Sequence, residues 1–231
     1  MGCSKEMTFV PQILKVGRFR SEWSDEVIKN EPMFFNCDLD FVIKKAGKIT
    51  KAFLKGLPTS WACGEVVFDS RVHMLMPGWY PAIPGWHHDD VPRPVKTEAG
   101  PHFITGGQPD YDNPAYHSEH LTGLVNAEIC PTAFISSSVT MPSVPEGELI
   151  YRTWHARIEE LLKAGQASQI EASSGELIQF DWKTFHTGTK CVMPGWRWFG
   201  RLSRNTERTK NITNEIRRQA QVYLEFPMEG W

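Results

Sequence analysis

The apolar residues of this chain come in short runs cut apart by proline and glycine, and that spacing leaves little room for long helices. The 231 residues include 16 prolines and nine tryptophans, both poor choices for a helix interior, and aromatic runs favour pleated strands. Residues 8–16 (TFVPQILKV) and 33–43 (MFFNCDLDFVI) read as strands, and 61–76 (WACGEVVFDSRVHMLM) as one or two more. Strand character returns over 121–139, 176–182 and 196–203. The best helix candidate is 151–164, where Trp154, Ile158, Leu161 and Leu162 recur at helical spacing and Gly165 supplies a stop. Lys-rich residues 44–55 predict a short helix, and 206–221 a polar one. Many short strands with few helices predict a mainly β sandwich or barrel core with flanking helices, in one domain over 1–231.

Composition removes several function classes. A formal net charge of -2 gives no global electrostatic footprint for nucleic acid or an acidic membrane surface. The five cysteines are odd in number, scattered and without a CxxC pair, so they predict neither a disulfide framework nor a thiolate zinc site. No apolar stretch reaches the length of a membrane span, and the first residues lack a signal-peptide core. These features together predict a cytoplasmic protein that acts on a small molecule.

The chemistry concentrates at Trp86-His87-His88-Asp89-Asp90, delivered by a loop, 77–86 (PGWYPAIPGW), too rich in proline and glycine for regular structure. On extended backbone residues i and i+2 face the same side, so His87 and Asp89 can aim an imidazole nitrogen and a carboxylate oxygen at one point. His88 and Asp90 have the same spacing and face the other way. A third ligand is available in His186, just beyond the strand-like run Glu176-Leu177-Ile178-Gln179-Phe180-Asp181. Two histidines and one carboxylate form a facial triad that leaves coordination positions open, a donor set suited to Fe(II) oxygen chemistry.

The phrases W-H-x-D and G-[DE]-L-x-x-F-x-x-x-x-x-H, followed by arginine on the next strand, resemble those of the Fe(II)/2-oxoglutarate dioxygenases, in particular the phytanoyl-CoA hydroxylase-like and taurine dioxygenase-like branches. The resemblance covers roughly residues 76–91 and 174–204. It implies a double-stranded β-helix (jelly roll), with Fe(II) held by His87, Asp89 and His186, and with 2-oxoglutarate and O2 as cosubstrates. It further implies release of succinate and CO2 with oxidation of an unactivated C–H bond. Hydroxylation is preferred over halogenation because Asp89 fills the place a halide would take; desaturation, cyclisation and demethylation stay open.

Arginine suits the far carboxylate of 2-oxoglutarate, since its planar fork holds a carboxylate through two hydrogen bonds. Arg197 and Arg201 lie eleven and fifteen residues after His186 and, four apart on a strand, point the same way. In relatives resembling taurine dioxygenase the first spacing binds the cosubstrate and the second contacts an acidic substrate. Arg201-Leu202-Ser203 also matches the R-x-S phrase that other branches use for the same carboxylate, so Ser203 joins the candidates. His88, Asp90, Trp86 and Trp198 are expected to orient ligands or line the substrate pocket. Residues 92–118, rich in Pro, Gly, Asp, Asn and Tyr, read as a long loop. The remaining histidines, including His120 in the polar stretch His117-Ser118-Glu119-His120 of that loop, have no ligand-like partners at a convincing spacing. Two other classes compete: a cupin-like metal enzyme that needs no arginine, and a non-catalytic barrel with the His/Asp cluster as a surface patch.

Overall fold

A computed structural model describes residues 6–62, 64–92, 109–113, 117–145 and 148–224. Its strands are β1 (Met7–Phe9), β2 (Ile13–Arg18), β3 (Met33–Phe35), β4 (Val66–Leu75), β5 (Glu119–Val125) and β6 (Thr132–Ile135). They continue with β7 (Val139–Met141), β8 (Gln169–Glu171), β9 (Glu176–Asp181), β10 (His186–Gly188), β11 (Gly195–Arg204) and β12 (Glu215–Arg217). Among the described residues four α-helices accompany them: α1 (Asp25–Lys29), α2 (Leu39–Lys45), α3 (Lys48–Lys55) and α4 (Ile150–Lys163).

Among the described residues every strand pairing is antiparallel. A five-stranded sheet runs β2-β9-β5-β11-β4 and a three-stranded sheet β10-β6-β8, with two-stranded pairs β1-β7 and β12-β3. The protein is mainly β, with helices on the flanks. Among the described residues no helix is long and apolar enough to cross a membrane.

Alternation along β11 explains the layering. Trp198 and Leu202 point to one side, where they join Phe53, Ile49, Val42 and Ile28 from α1, α2 and α3 in an apolar layer. Burying such side chains is the main stabilising term, and Phe or Trp truncated to Ala in this layer would cost roughly 3–5 kcal/mol. Gly200 lies between them on the strand because a Cβ there would come 2.3 Å from the Trp198 ring. Odd-numbered residues of β11 point to the other side, toward the three-stranded sheet. There Phe199 packs with Leu124, Ile178 and Phe180, and Phe180 meets Phe134 of β6 with ring centroids 5.0 Å apart. Helix α4 covers the outer side of the smaller sheet with Trp154, Ile158 and Leu161. The space between the two sheets is therefore walled by aromatic rings and closed off by helices on both flanks.

Most element positions agree with the sequence reading, and three do not. Residues 39–43, read as strand, lie in α2, whose N-cap Asp38 accepts a hydrogen bond from the Phe41 N–H. Residues 206–221, read as a polar helix, form one 3-10 turn at Glu207–Lys210 followed by β12. The chain over 117–120, read as part of a long loop, enters β5 at Glu119. The rest of that loop falls largely on 93–108 and 114–116, outside the described residues.

Candidate metal centre

The loop after β4 returns to the sheet at His87. Its N–H donates to the His186 carbonyl at 3.1 Å, and the His186 N–H donates to the His87 carbonyl at 3.1 Å. This two-way backbone clasp, an isolated antiparallel bridge, sets the two imidazoles side by side with centroids 4.7 Å apart. Asp89, two residues on, presents its carboxylate to the same spot. One ligand atom from each of His87, Asp89 and His186 lies within 4.8 Å of the others. The expected triad therefore converges.

The donor atoms are in a ligand-ready form. His87 Nδ1 is 2.8 Å from the Gly85 carbonyl and His186 Nδ1 is 3.1 Å from the Thr184 carbonyl. A carbonyl only accepts, so each Nδ1 carries a proton, which leaves Nε2 as the nitrogen that faces the centre and can ligate. His186 Nε2 sits 3.0 Å from Asp89 Oδ2, and His87 Nε2 3.9 Å from Asp89 Oδ1. Two lone-pair atoms held that close require a proton or a cation between them. Burial, reinforced by His186, lowers the His87 pKa, which keeps that imidazole neutral as a ligand must be. For Asp89, burial pulls the pKa upward, but Arg201 and His186 outweigh it and hold the carboxyl well below its ordinary range.

The neighbours at 86, 88 and 90 diverge from the triad. Trp86 fastens the loop to α4, its indole N–H donating to Glu159 Oε1 at 2.7 Å. His88 turns away between Phe185 (centroids 3.8 Å) and Phe9 (5.0 Å), with Nδ1 2.6 Å from the Tyr111 hydroxyl. Asp90 adopts a left-handed backbone, φ 54°, and faces Arg208 Nη1 at 3.7 Å. The 88/90 spacing thus supplies no second ligand pair, because the two side chains enter different environments.

Arg197 and Arg201 share the inner face of β11, as alternation requires. Arg197 is 2% exposed, with Nε donating to the Cys130 carbonyl at 2.6 Å and Nη2 to Thr132 Oγ1 at 3.3 Å. Burial lowers its pKa, and among the described residues no carboxylate is its hydrogen-bond or ion-pair partner. Arg201 instead donates through Nη1 to Asp89 Oδ2 and faces Asp69 Oδ2 at 3.9 Å. Ser203 is buried and its hydroxyl lies 2.8 Å from His120 Nδ1. Trp198 points to the opposite face of the sheet, into the helix-covered layer with Phe19 and Phe53, so it lies away from the triad and does not line a substrate pocket beside it.

Four residues near this face escaped the sequence reading. Asp69 and His73 lie on β4 directly across from Arg201 and Arg197, His120 is fully buried on β5, and Thr132 reaches Arg197 from the other sheet. Asp69 carried a signal, a charged residue in an apolar run (VVFDSRV). Comparison of the chain with family models, with curated proteins and with solved structures returns no match.

Proposed function

We propose that the protein is a mononuclear Fe(II)- and 2-oxoglutarate-dependent oxygenase on a jelly-roll core, oxidising an unactivated C–H bond of a small organic substrate. The observation that carries this reading is Arg197, a guanidinium buried between the sheets whose hydrogen-bond partners among the described residues are all neutral. An unpaired buried charge is costly, and such a group is retained where a ligand supplies the missing counter-charge. Its partner Thr132 and the residue opposite His186, Phe134, are two apart on β6. That separation is roughly 7 Å of strand, close to the span of a five-carbon dicarboxylate whose other end reaches the triad.

His87, Asp89 and His186 would hold the iron, and Arg197 with Thr132 would take the far carboxylate. The metal with its 2-oxo acid supplies oxidative decarboxylation and the oxidant for the C–H bond. The chain's own contribution is positional and electrostatic. The Gly85 and Thr184 carbonyls fix the imidazole tautomers, Arg201 keeps Asp89 ionised, and Phe134, Phe180 and Phe199 make dry walls. A cupin-like enzyme independent of 2-oxoglutarate has no use for a guanidinium in that place, which favours the oxygenase.

The test begins without oxygen. Fe(II) plus 2-oxoglutarate should give a weak visible absorption band in the wild type and none in His87→Ala or His186→Ala. Admitting O2 should then release succinate, coupled to one member of an acceptor panel. Iron binding with no band on adding 2-oxoglutarate would remove the cosubstrate from the proposal, and no iron binding would remove the centre.

A further inference from the structure

Arg201 does not serve Asp89 alone. Asp69 Oδ2 lies 3.9 Å from its Nη2 and also accepts from Arg208 Nη2, while Arg208 Nη1 faces Asp90 Oδ2 at 3.7 Å. The result is an alternating series, Asp89–Arg201–Asp69–Arg208–Asp90, that starts and ends on consecutive residues of the ligand loop. Its central member is rigidly held. Asp69 is 5% exposed on β4, directly opposite Arg201 in the register, and its Oδ1 accepts the Asn36 N–H at 2.9 Å.

We infer that Asp69 is a positioning residue that sets the affinity of the His87–Asp89–His186 centre for a divalent cation, by sharing Arg201 with Asp89. This rests on reading the triad as a metal site, and not on which metal or cosubstrate it takes. A cation entering the triad must draw on the Asp89 carboxylate, and Arg201 competes for the same group through Oδ2. A guanidinium divided between two carboxylates competes less than one with a single partner. Asp69 also contributes a buried negative charge near the cation, where screening by solvent is weak. Arg208 acts in the opposite sense: it holds Asp69 away from Arg201 and adds positive charge.

The two residues therefore predict opposite signs. Asp69→Asn keeps an oxygen to accept the Asn36 N–H, removes the charge, and should weaken binding roughly tenfold, the low end of the effect of losing a direct partner of a metal ligand, because Asp69 acts through Arg201. Arg208→Gln should tighten binding several-fold, and Asp69→Glu should recover part of the loss. The experiment is an anaerobic Co(II) titration of the metal-free full chain, followed by calorimetry and by the visible Co(II) spectrum, with melting curves to check folding. Damage to the fold would weaken both variants alike, whereas the inference requires them to separate. Equal affinity of wild type and Asp69→Asn, or weakening in Arg208→Gln, overturns it. If Asp69→Asn does not fold, the sign of Arg208→Gln decides alone. A wild type that takes up no Co(II) defeats the metal-site reading itself and this inference with it.

Discussion

Arg197 and Arg201 stand four residues apart on one strand, on one face, and carry the same charge into opposite surroundings. Arg201 meets two carboxylates, Asp89 and Asp69, and although burial works against its charged form, those acids raise its pKa above the ordinary guanidinium value. Arg197 meets a carbonyl and a hydroxyl, and burial lowers its pKa. The first arginine completes a network internal to the protein. Arg197 has neutral hydrogen-bond partners among the described residues, and under the proposed function the cosubstrate carboxylate completes it. Sequence spacing makes the two look equivalent, and their across-strand partners, Asp69 opposite Arg201 and His73 opposite Arg197, give them different surroundings.

The comparison breaks most visibly when each arginine becomes methionine. Arg201→Met strands Asp89 without its guanidinium and leaves Asp69 with Arg208 alone. It should destabilise the metal-free protein by about 3–5 kcal/mol, which for a chain of this size lowers Tm by roughly 6–20 °C. Arg197→Met removes a charge that has no counter-ion among the described residues, so the metal-free Tm should hold or rise. Its loss appears elsewhere: 2-oxoglutarate affinity, measured by anaerobic titration of the visible band, should fall by about 30-fold or more. If Arg197→Met melts early and binds 2-oxoglutarate normally while Arg201→Met does the reverse, the assignments are exchanged.

A second difference lies in what each arginine does to its across-strand partner. His73 is 3% exposed opposite Arg197, and burial first, then the Arg197 charge, lower its pKa to about 3. A histidine depressed in this way is neutral in the folded state across the working pH range, while the unfolded chain binds a proton below about 6.5. Stability from this group is therefore fully present above pH 6.5 and is lost as pH falls from there toward 3, at about 1.4 kcal/mol per pH unit. His88 and His120, also lowered with burial as the leading cause, add to the same acid limb. Urea midpoints measured from pH 8 to pH 5 should fall on acidification. His73→Gln should flatten the slope by about one proton, close to 2 kcal/mol by pH 5. An unchanged slope would mean that His73 titrates normally and that the Arg197 side of the sheet is wetter than its burial indicates.

How much of this was legible in the sequence follows from the range of the interactions. The pair His87 and Asp89 was readable because alternation along extended backbone is local geometry, and His186 because it sits where a strand gives way to a turn. The mainly β character was readable from proline, glycine and short apolar runs for the same reason. The helix over 39–45 was misread because Phe41-Val42-Ile43 has strand-like composition, and the deciding residue is a single cap, Asp38, bonded to the Phe41 N–H. His120 looked like a loop residue because its partner, Ser203, is 83 positions away. The environments of Arg197 and Arg201 were beyond reach for that reason as well: the contact between Arg201 and Asp89 spans 112 positions. Local periodicity names the candidates, and only the sheet register tells them apart.

Ser203 tests the smallest part of the contrast. It follows Arg201 in the R-x-S phrase and lies on the same inner face, yet its hydroxyl is engaged by His120 at 2.8 Å and it is fully buried. Were it to help hold the cosubstrate carboxylate, Ser203→Ala would weaken 2-oxoglutarate binding alongside Arg201. With Arg197 and Thr132 in that role, Ser203→Ala should leave the anaerobic titration unchanged and cost only a buried hydrogen bond, about 1 kcal/mol in the urea midpoint. The His120 imidazole would then lack its acceptor or donor, and since burial already keeps it neutral the loss stays local. A fall in 2-oxoglutarate affinity without a fall in stability would instead move the carboxylate from Arg197 to the Arg201–Ser203 end of β11.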